Sequence, residues 1–361
     1  MGLFDKSYAL PISKNYVSHW GFVEAVRELL QNAIDSDSPF DVRYSEDRLR
    51  IVSRDSKLHP ETLVLGVTTK ANDESKIGSF GEGYKIALLV LTRIGKRVEV
   101  LNDDRVWTPV FEYHNAFETE LLTIKEAKRS GDRTDRLVMD IDGVSSDEYD
   151  KIRANCLHLW DAIDLGEVIE TSMGRILPDL QGKLYVNGLF VCETNLDFSY
   201  DVKPDYIRLE RDRQTVDSWD LKFVTKNMWF LTEQWDRIAG LIERDCPDLY
   251  AADFGTPELV REACYRLFRS KHPGHFAAKD QSELDKFVAN NMKDVIIVPQ
   301  TYHSVLSTLP AYSSSVKAVL QRKTPKELMD EWFKTNRGNM RTSAIVSFKE
   351  LLSQAEGWAL K

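Results

Sequence analysis

The chain has 361 residues, of which 42% are hydrophobic and 10% aromatic, so it is long enough for two domains with ordinary cores. Its formal net charge of −9 gives no general electrostatic attraction to nucleic acid. No apolar run has the length of a membrane span and no signal peptide is recognisable, so no membrane partner is expected. The cysteines are far apart in the chain, which favours reduced thiols in a cytoplasmic protein. They are Cys156, Cys192, Cys246 and Cys264.

The first strongly patterned segment, residues 20–35, predicts an amphipathic helix with an apolar stripe. Glu28, Asn32 and Asp35 are spaced i, i+4 and i+7, so they project from the opposite face. A solvated polar face would explain them, but no lysine stands among them to balance the carboxylates. The alternative is a magnesium–water site, in which the Asn32 oxygen binds the metal and Glu28 takes a proton from water.

Residues 49–55 alternate between apolar and polar side chains and predict a short strand that ends at Asp55. A buried carboxylate at this position can accept a hydrogen bond from the exocyclic amine of adenine. Aspartate is also common where a strand ends in a turn, so a plain turn is the alternative.

A glycine-rich segment follows, and it runs directly into an apolar helix. Its G-x-x-G-x-G spacing, over Gly78, Gly81 and Gly83, is neither that of a P-loop nor that of a dinucleotide-binding fold. Glycines let backbone N–H groups approach an anion, and a helix N-terminus adds the positive end of its dipole. The segment predicts either a phosphate-binding loop, with Lys85 one turn into the helix, or a surface loop before a buried helix.

Downstream of this helix, the pattern predicts more of the sheet and then a domain boundary. Strands are expected at 97–100, 106–110 and 137–141, with a charged surface turn at 125–135. The S-x-x-E sequence at 145–148 predicts a capped helix that runs to about residue 159. Glycines and a proline within 161–180 indicate a linker.

The C-terminal half opens with strands and then becomes mainly helical. A hairpin with an Asn-Gly turn is expected at 183–191, followed by a charged strand at 207–217. Helices are expected at 223–243, from 256, at 303–309, from 324 and at 348–358, with a short buried strand at 295–299.

The order of a helix with E-x-x-x-N-x-x-D, a strand ending in Asp, and G-x-x-G-x-G before a helix resembles the GHKL superfamily, over roughly residues 15–142. Its members include the gyrase B subunit, heat-shock ATPase chaperones, histidine kinases, MutL mismatch-repair proteins and the MORC group. The resemblance implies an α+β protein with a Bergerat-type two-layer sandwich, in which helices cover one face of a mixed sheet. A transducer-like α/β domain with a helical C-terminal region would follow. The implied boundaries are 1–165 for the ATP-binding domain and 176–361 for the second domain.

The resemblance also implies roles for individual residues. Glu28 matches the catalytic glutamate, Asn32 the magnesium ligand and Asp55 the residue that binds adenine. Further nucleotide contacts are implied for Asp35, Thr69, Lys70, Gly78, Ser79, Phe80, Gly81, Glu82, Gly83, Tyr84 and Lys85. Arg211 and Arg213 are the candidates for contacting the γ-phosphate, with Lys203 behind them. The family's D-x-G-x-G motif lacks both glycines here, so the loop after Asp55 must follow another path.

These features imply an ATPase that binds ATP and Mg²⁺, hydrolyses slowly and changes conformation as the glycine-rich lid closes. A nucleotide-dependent homodimer and a protein client are the expected partners. One alternative is a protein kinase of the same superfamily, which would pass phosphate to a His or Ser, although no helical hairpin precedes His19. The other is a non-hydrolysing, nucleotide-sensing scaffold, if the missing glycines weaken binding.

Overall fold

The protein is described by a computed structural model that covers residues 4–36, 38–64, 83–129, 136–208, 218–250, 252–290, 292, 294–320 and 325–354. The fold is α+β, and the chain divides into two compact units. Unit 1 comprises Met1–Thr194 and Phe198–Val216, and unit 2 comprises Asn195–Asp197 and Asp217–Lys361. This division lies downstream of the predicted boundary, because the strands between residues 169 and 202 pair into one sheet within unit 1.

Unit 1 begins with a seven-stranded sheet and the helices that carry the predicted site. The strands are β1 Lys6–Ser13, β2 Phe40–Ser45, β3 Arg48–Arg54, β4 Arg97–Asn102, β5 Arg105–His114, β6 Thr119–Lys128 and β7 Arg136–Asp142. The helices are α1 Phe22–Ile34, α2 Gly83–Arg93 and α3 Ser146–Ala154, with a 3-10 turn at Pro60–Leu63. The strand order is β1-β6-β5-β4-β7-β3-β2.

Every pairing within this sheet is antiparallel over the residues that the structure describes. The expectation of a mixed sheet is therefore wrong here. For three of the six pairings the physical reason is connectivity, because tight turns link β2 to β3, β4 to β5 and β5 to β6, and such turns join antiparallel neighbours.

The predicted strands at 49–55, 97–100, 106–110 and 137–141 correspond to β3, β4, β5 and β7. The predicted surface turn at 125–135 is wrong at its start, since Lys125 lies within β6 and pairs with Glu112 of β5. Its end, residues 130–135, lies outside the described residues. A cross-strand ion pair accommodates a charged segment in a sheet, which a local charge count cannot reveal.

One face of the seven-stranded sheet packs against the helices, and the other is charged. Alternate residues of β3 are buried, namely Leu49, Ile51 and Ser53. On the opposite face, Arg48 and Arg50 form ion pairs with Asp140 of β7. This alternation is expected of a sheet that is covered on one side only, so helices lie on one face as predicted.

A second sheet completes unit 1. Its elements are α4 Ala162–Leu165, β8 Ile169–Thr171, β9 Gly174–Leu177, β10 Lys183–Val186, β11 Leu189–Glu193 and β12 Ser199–Val202, with 3-10 turns at Leu157–Leu159 and Pro204–Tyr206. The order is β11-β10-β12-β9-β8, and β10 runs parallel to β12. Asn187 and Gly188 form the predicted hairpin turn with positive φ. The expected linker at 161–180 is instead occupied by α4, β8 and β9.

Unit 2 is mainly helical. Its helices are α5 Ser218–Leu231, α6 Trp235–Glu243, α7 Glu258–Lys271, α8 Gln281–Ala289, α9 Gln300–Ser307, α10 Pro310–Leu320, α11 Pro325–Asn336 and α12 Thr342–Gln354. Two short parallel strands, β13 Phe276–Ala278 and β14 Val295–Ile297, flank α8, and 3-10 turns occur at Pro247–Leu249 and Arg337–Asn339. Among the described helices, none has the length and apolar character required to cross a membrane.

Two expectations for unit 2 need correction. The single helix predicted at 223–243 is two helices, α5 and α6, separated at Glu233, whose φ of 55° is incompatible with a right-handed helix. The strand at 295–297 is not buried, because none of its residues is in the buried class and Ile297 is exposed.

Candidate functional site

The polar residues of α1 lie in the interior of unit 1, which excludes the solvated polar face considered above. Glu28 is 5% exposed and Asp35, which caps the helix C-terminus, is 2% exposed. Gln31, between them, is also buried, and all three have interaction partners. Burying a charged group is costly unless it is paired or has a function, so this arrangement marks a candidate site.

Asn32 is half-buried one turn after Glu28, and its side-chain amide has a defined orientation. Its Nδ2 donates to the backbone carbonyl of Glu28 at 2.7 Å. This bond directs the amide nitrogen to the helix backbone and leaves Oδ1 as the free acceptor of the group. Amide oxygens are suitable Mg²⁺ ligands, so Asn32 fits the metal role that the sequence predicts.

Gly83 is the first residue of α2, and its backbone lies directly against α1. A Cβ at this position would overlap the Glu28 carboxylate and lie 3.3 Å from its carboxyl carbon and 3.5 Å from Nδ2 of Asn32. The helix N-terminus therefore meets the two residues predicted to activate water and bind the metal. Gly83 is more than fifty positions from Glu28 and Asn32 in sequence, and tertiary packing of α1 against α2 brings it to them.

The start of α1 and the end of α2 are held in place by polar contacts. The Glu24 carboxylate accepts from the Gly21 amide at 2.8 Å and caps the start of α1. Arg93, in the last turn of α2, donates to four backbone carbonyls between β1 and α1 at 2.8–3.2 Å. Those carbonyls belong to Lys14, Tyr16, Val17 and Trp20. The Arg93 guanidinium thus ties the entry of α1 to the end of α2, which fixes Glu28 relative to Gly83.

Tyr84 and Lys85 connect the start of α2 to the 3-10 turn that precedes it. The Tyr84 hydroxyl donates to Oγ1 of Thr62 at 2.9 Å, and burial raises the pKa of Tyr84 to about 12. Lys85 is fully buried, and its Nζ donates to the carbonyl oxygen of Val64 at 2.6 Å. A phosphate contact from Lys85 would have to share this ammonium group with that carbonyl. The nucleotide roles of both residues remain predictions.

Asp55 follows β3 as predicted, but its side chain is exposed and its φ is 52°, so the expected burial is wrong. The loop after it, residues 56–59, contains no glycine and is held in place by contacts with the end of β4. Asn102 accepts from the Leu58 amide at 3.1 Å and donates to the Leu58 carbonyl at 2.6 Å. Lys57 pairs with Asp103 at 3.1 Å. These contacts define the path that the chain takes without the two family glycines.

Several predicted site residues lie outside the described part of the chain. They are Thr69, Lys70, Gly78, Ser79, Phe80, Gly81, Glu82, Arg211 and Arg213. Lys203 is described, and its Nζ donates to the carbonyl oxygen of Ser172 at 2.9 Å.

Sequence reasoning missed the supporting roles of Arg93 and Asn102. The only hint for Asn102 was a carboxamide at the end of a predicted strand. Arg93 looked like an ordinary cation at a helix C-terminus, and its four acceptors are spread along a connection with no regular pattern.

A cluster of possible metal ligands in unit 2 was also missed. Asp197, Cys246 and Asp248 place their ligand atoms within 4.8 Å of one another. However, the Asp248 carboxylate accepts from the Asp197 amide at 2.8 Å and from the Cys246 thiol at 3.4 Å. Burial raises the pKa of Cys246, which keeps the thiol protonated and makes it a poor ligand. The cluster is therefore explained by hydrogen bonding alone.

No known protein-family model matches this chain. The chain is 26% identical over 223 residues to a protein of Mycoplasma pneumoniae that carries the description "uncharacterized protein". The match covers 56% of this chain and 88% of that protein. The likeness indicates a related protein in Mycoplasma, and no activity follows from its description.

Proposed function

We propose that unit 1 binds Mg²⁺–ATP and hydrolyses it slowly, as a GHKL-type ATPase with a Bergerat-type sandwich. The observation that carries the proposal is the meeting of Gly83 with Glu28 and Asn32. A helix N-terminus that follows a glycine-rich sequence supports phosphate binding, and it lies against a buried carboxylate and a carboxamide. A plain packing contact between two helices would not require these polar groups in the interior.

In this proposal, Glu28 takes a proton from the attacking water, and its burial excludes bulk water from the carboxylate. Asn32 would hold the metal through Oδ1, because Nδ2 is engaged by the Glu28 carbonyl. A bound Mg²⁺ ion would neutralise charge on the phosphates. Gly83 lets the start of α2 approach Glu28 without a side chain. The glycine-rich sequence before it, residues 78–82, is proposed from the resemblance to act as the phosphate lid.

The remaining assignments rest on the sequence resemblance. They comprise the phosphate roles of Thr69, Lys70 and Lys85, the γ-phosphate contacts of Arg211 and Arg213, and adenine recognition by Asp55. A nucleotide-dependent homodimer and a protein client belong to the same proposal. Closure of the lid on ATP would change the conformation of the protein and thereby promote dimerisation or binding of the client.

A nucleotide-sensing scaffold that does not hydrolyse ATP is the second candidate, and one observation favours it. Asp55 is exposed, and the loop after it is held to β4 by Asn102 rather than being free to close over a base. Weak recognition of the base would leave a site that responds to nucleotide without efficient turnover.

The test compares ATP turnover of the wild type with that of Glu28→Gln, together with binding of a non-hydrolysable ATP analogue. Removing a general base is expected to lower turnover by at least about 100-fold. Analogue affinity should change little, because the glutamine keeps the size of the side chain. Glu24→Gln, one turn earlier on the same helix, is the matched control and should turn over like the wild type.

Four results decide between the candidates. Analogue binding without turnover by the wild type supports the scaffold. Transfer of label from γ-labelled ATP to the protein, lost in His19→Asn, supports the kinase. If the wild type binds no nucleotide, or if Glu28→Gln turns over like the wild type, the proposed ATPase is wrong.

A further inference from the structure

The C-terminal helices α11 and α12 form a hairpin whose second helix has no buried face. None of the described side chains from Thr342 to Ser353 is in the buried class. The two helices meet through aromatic rings: Phe333 stacks on Phe348 with centroids 5.0 Å apart, and Trp332 lies 5.4 Å from the same ring. A 13-residue helix is marginally stable by itself in water, so α12 depends on what packs against it.

The hairpin presents a continuous apolar surface, which we call the hairpin surface. Its most exposed members are Leu328 and Trp332 of α11, one turn apart, and Leu351 of α12, with Trp332 50% and Leu351 40% exposed. Ile345, Phe348 and Leu352, at helical spacing beside Leu351, are partly exposed and extend it. Contiguous exposed apolar surface with polar margins is typical of an interaction site.

The charges around the hairpin surface are divided between its two ends. The first half of α11 carries Glu327, Asp330 and Glu331 beside a single lysine, Lys326, and Asp330 forms an ion pair with Lys334 within the helix. The turn end carries Arg337 and Arg341, both exposed, and the sequence has no acidic residue between positions 335 and 348. When two such hairpins are placed antiparallel, the basic end of each lies beside the acidic end of the other. This charge pattern is complementary to itself.

We infer that the hairpin surface binds a second copy of this chain around a two-fold axis, giving an antiparallel four-helix bundle. A two-fold interface uses the same patch on both copies, so it requires a self-complementary surface. The apolar stripes of α11 and α12 would form the bundle core, as in other four-helix assemblies. This dimer needs no nucleotide and is separate from the nucleotide-dependent contact proposed for unit 1.

The first test is the mass of the full-length protein in solution, measured by light scattering without nucleotide at tens of micromolar. The wild type should be a dimer. Trp332→Glu and Leu351→Glu should both be monomers. Leu351→Glu leaves the aromatic contact between α11 and α12 in place, so it should also keep the helical content of the wild type by circular dichroism. Ile163→Glu is the control, because Ile163 of unit 1 is 89% exposed but lies outside the hairpin surface. It should remain a dimer.

A charge exchange tests the antiparallel arrangement with exposed residues whose replacement leaves the apolar contacts intact. Arg337→Glu combined with Arg341→Glu should weaken the dimer at least tenfold. Adding Glu327→Arg and Glu331→Arg should restore it. A monomeric wild type, including one that binds only some other protein, overturns the inference. So does a dimer whose mass is unchanged by both Trp332→Glu and Leu351→Glu, or a charge exchange without rescue.

Discussion

Helices α1 and α12 have the same length, 13 residues, and opposite surroundings. Eight residues of α1 are buried, and they include the polar side chains of Glu28 and Gln31. In α12, none of the side chains that the structure describes is buried, although several are large and apolar. Both sequences have the 3.6-residue periodicity of an amphipathic helix, so the pattern alone does not separate them.

The difference shows which residues of each helix carry information about function. In α1 the informative residues are the polar ones in the interior, because burying a carboxylate has a cost that packing alone does not explain. In α12 they are the apolar ones at the surface, because exposed leucine and tryptophan side chains gain from being covered. The first helix thus points to chemistry and the second to association.

The largest expected effect is on the free energy of unfolding, and it should differ between substitutions in the two helices. Leu30→Ala in α1 should lower the free energy of unfolding by about 2–5 kcal/mol, because Leu30 is fully buried and leaves a cavity. Leu351→Ala in α12 should cost less than about 1 kcal/mol, since the side chain is already partly in water. Urea unfolding of both variants in the monomeric Trp332→Glu background measures the difference. Equal losses would contradict the contrast between the helices.

A smaller effect is expected from one added methyl group at the start of α2. Gly83→Ala would push its Cβ against the Glu28 carboxylate, so turnover should fall at least tenfold, which corresponds to a rise of about 1.4 kcal/mol in the activation barrier. Gly240→Ala in α6 is the matched control, because no atom lies within 4 Å of the added Cβ. It should leave turnover unchanged and raise helix stability by up to about 1 kcal/mol. Unimpaired turnover in Gly83→Ala would show that the contact with α1 has no role in catalysis.

The smallest expected effect concerns a buried thiol elsewhere in unit 1, that of Cys156. The contrast between buried and exposed groups predicts that burial shifts its ionisation to higher pH. Burial raises the pKa of Cys156 from 9.0 to about 11, whereas the thiol of Cys192 is only partly buried. The folded state therefore keeps the Cys156 proton above pH 9, where the unfolded chain loses it. Its contribution to stability is complete below pH 9 and is lost as the pH rises to 11, by about 1.4 kcal/mol at pH 10.

Cys156→Ala removes the thiol and with it this pH dependence. The difference in unfolding free energy between the variant and the wild type should therefore shift by about 1.4 kcal/mol between pH 8 and pH 10. Alkylation at pH 8.5 provides a second readout. Cys192 should react in the folded protein and Cys156 only after unfolding. Equal alkylation rates for the two thiols would show that Cys156 is accessible in solution.

Much of unit 1 could be predicted from local patterns. The helix that carries Glu28, the strand that ends before Asp55 and the Asn-Gly turn at 187–188 all have signals within a few residues of sequence. The edge strands β1 and β2 and the charged strand β6 were missed, because strand pairing depends on partners far along the chain. In the same way, the loop after Asp55 is held through Leu58 by Asn102, which lies 44 residues further along the chain.

By itself, the sequence determined which residue types recur at which spacing: the E-x-x-x-N-x-x-D helix, the glycine series and the apolar stripes of α11 and α12. Those signals are local, because backbone periodicity and side-chain volume act within a turn or a strand. Only the tertiary structure decided that Gly83 meets Glu28 and Asn32, and that Arg93 holds α1 in place. It also decided that none of the described side chains of α12 is buried. Burial is a property of packing between segments distant in sequence, and it sets which polar groups are costly and which apolar groups are left in water.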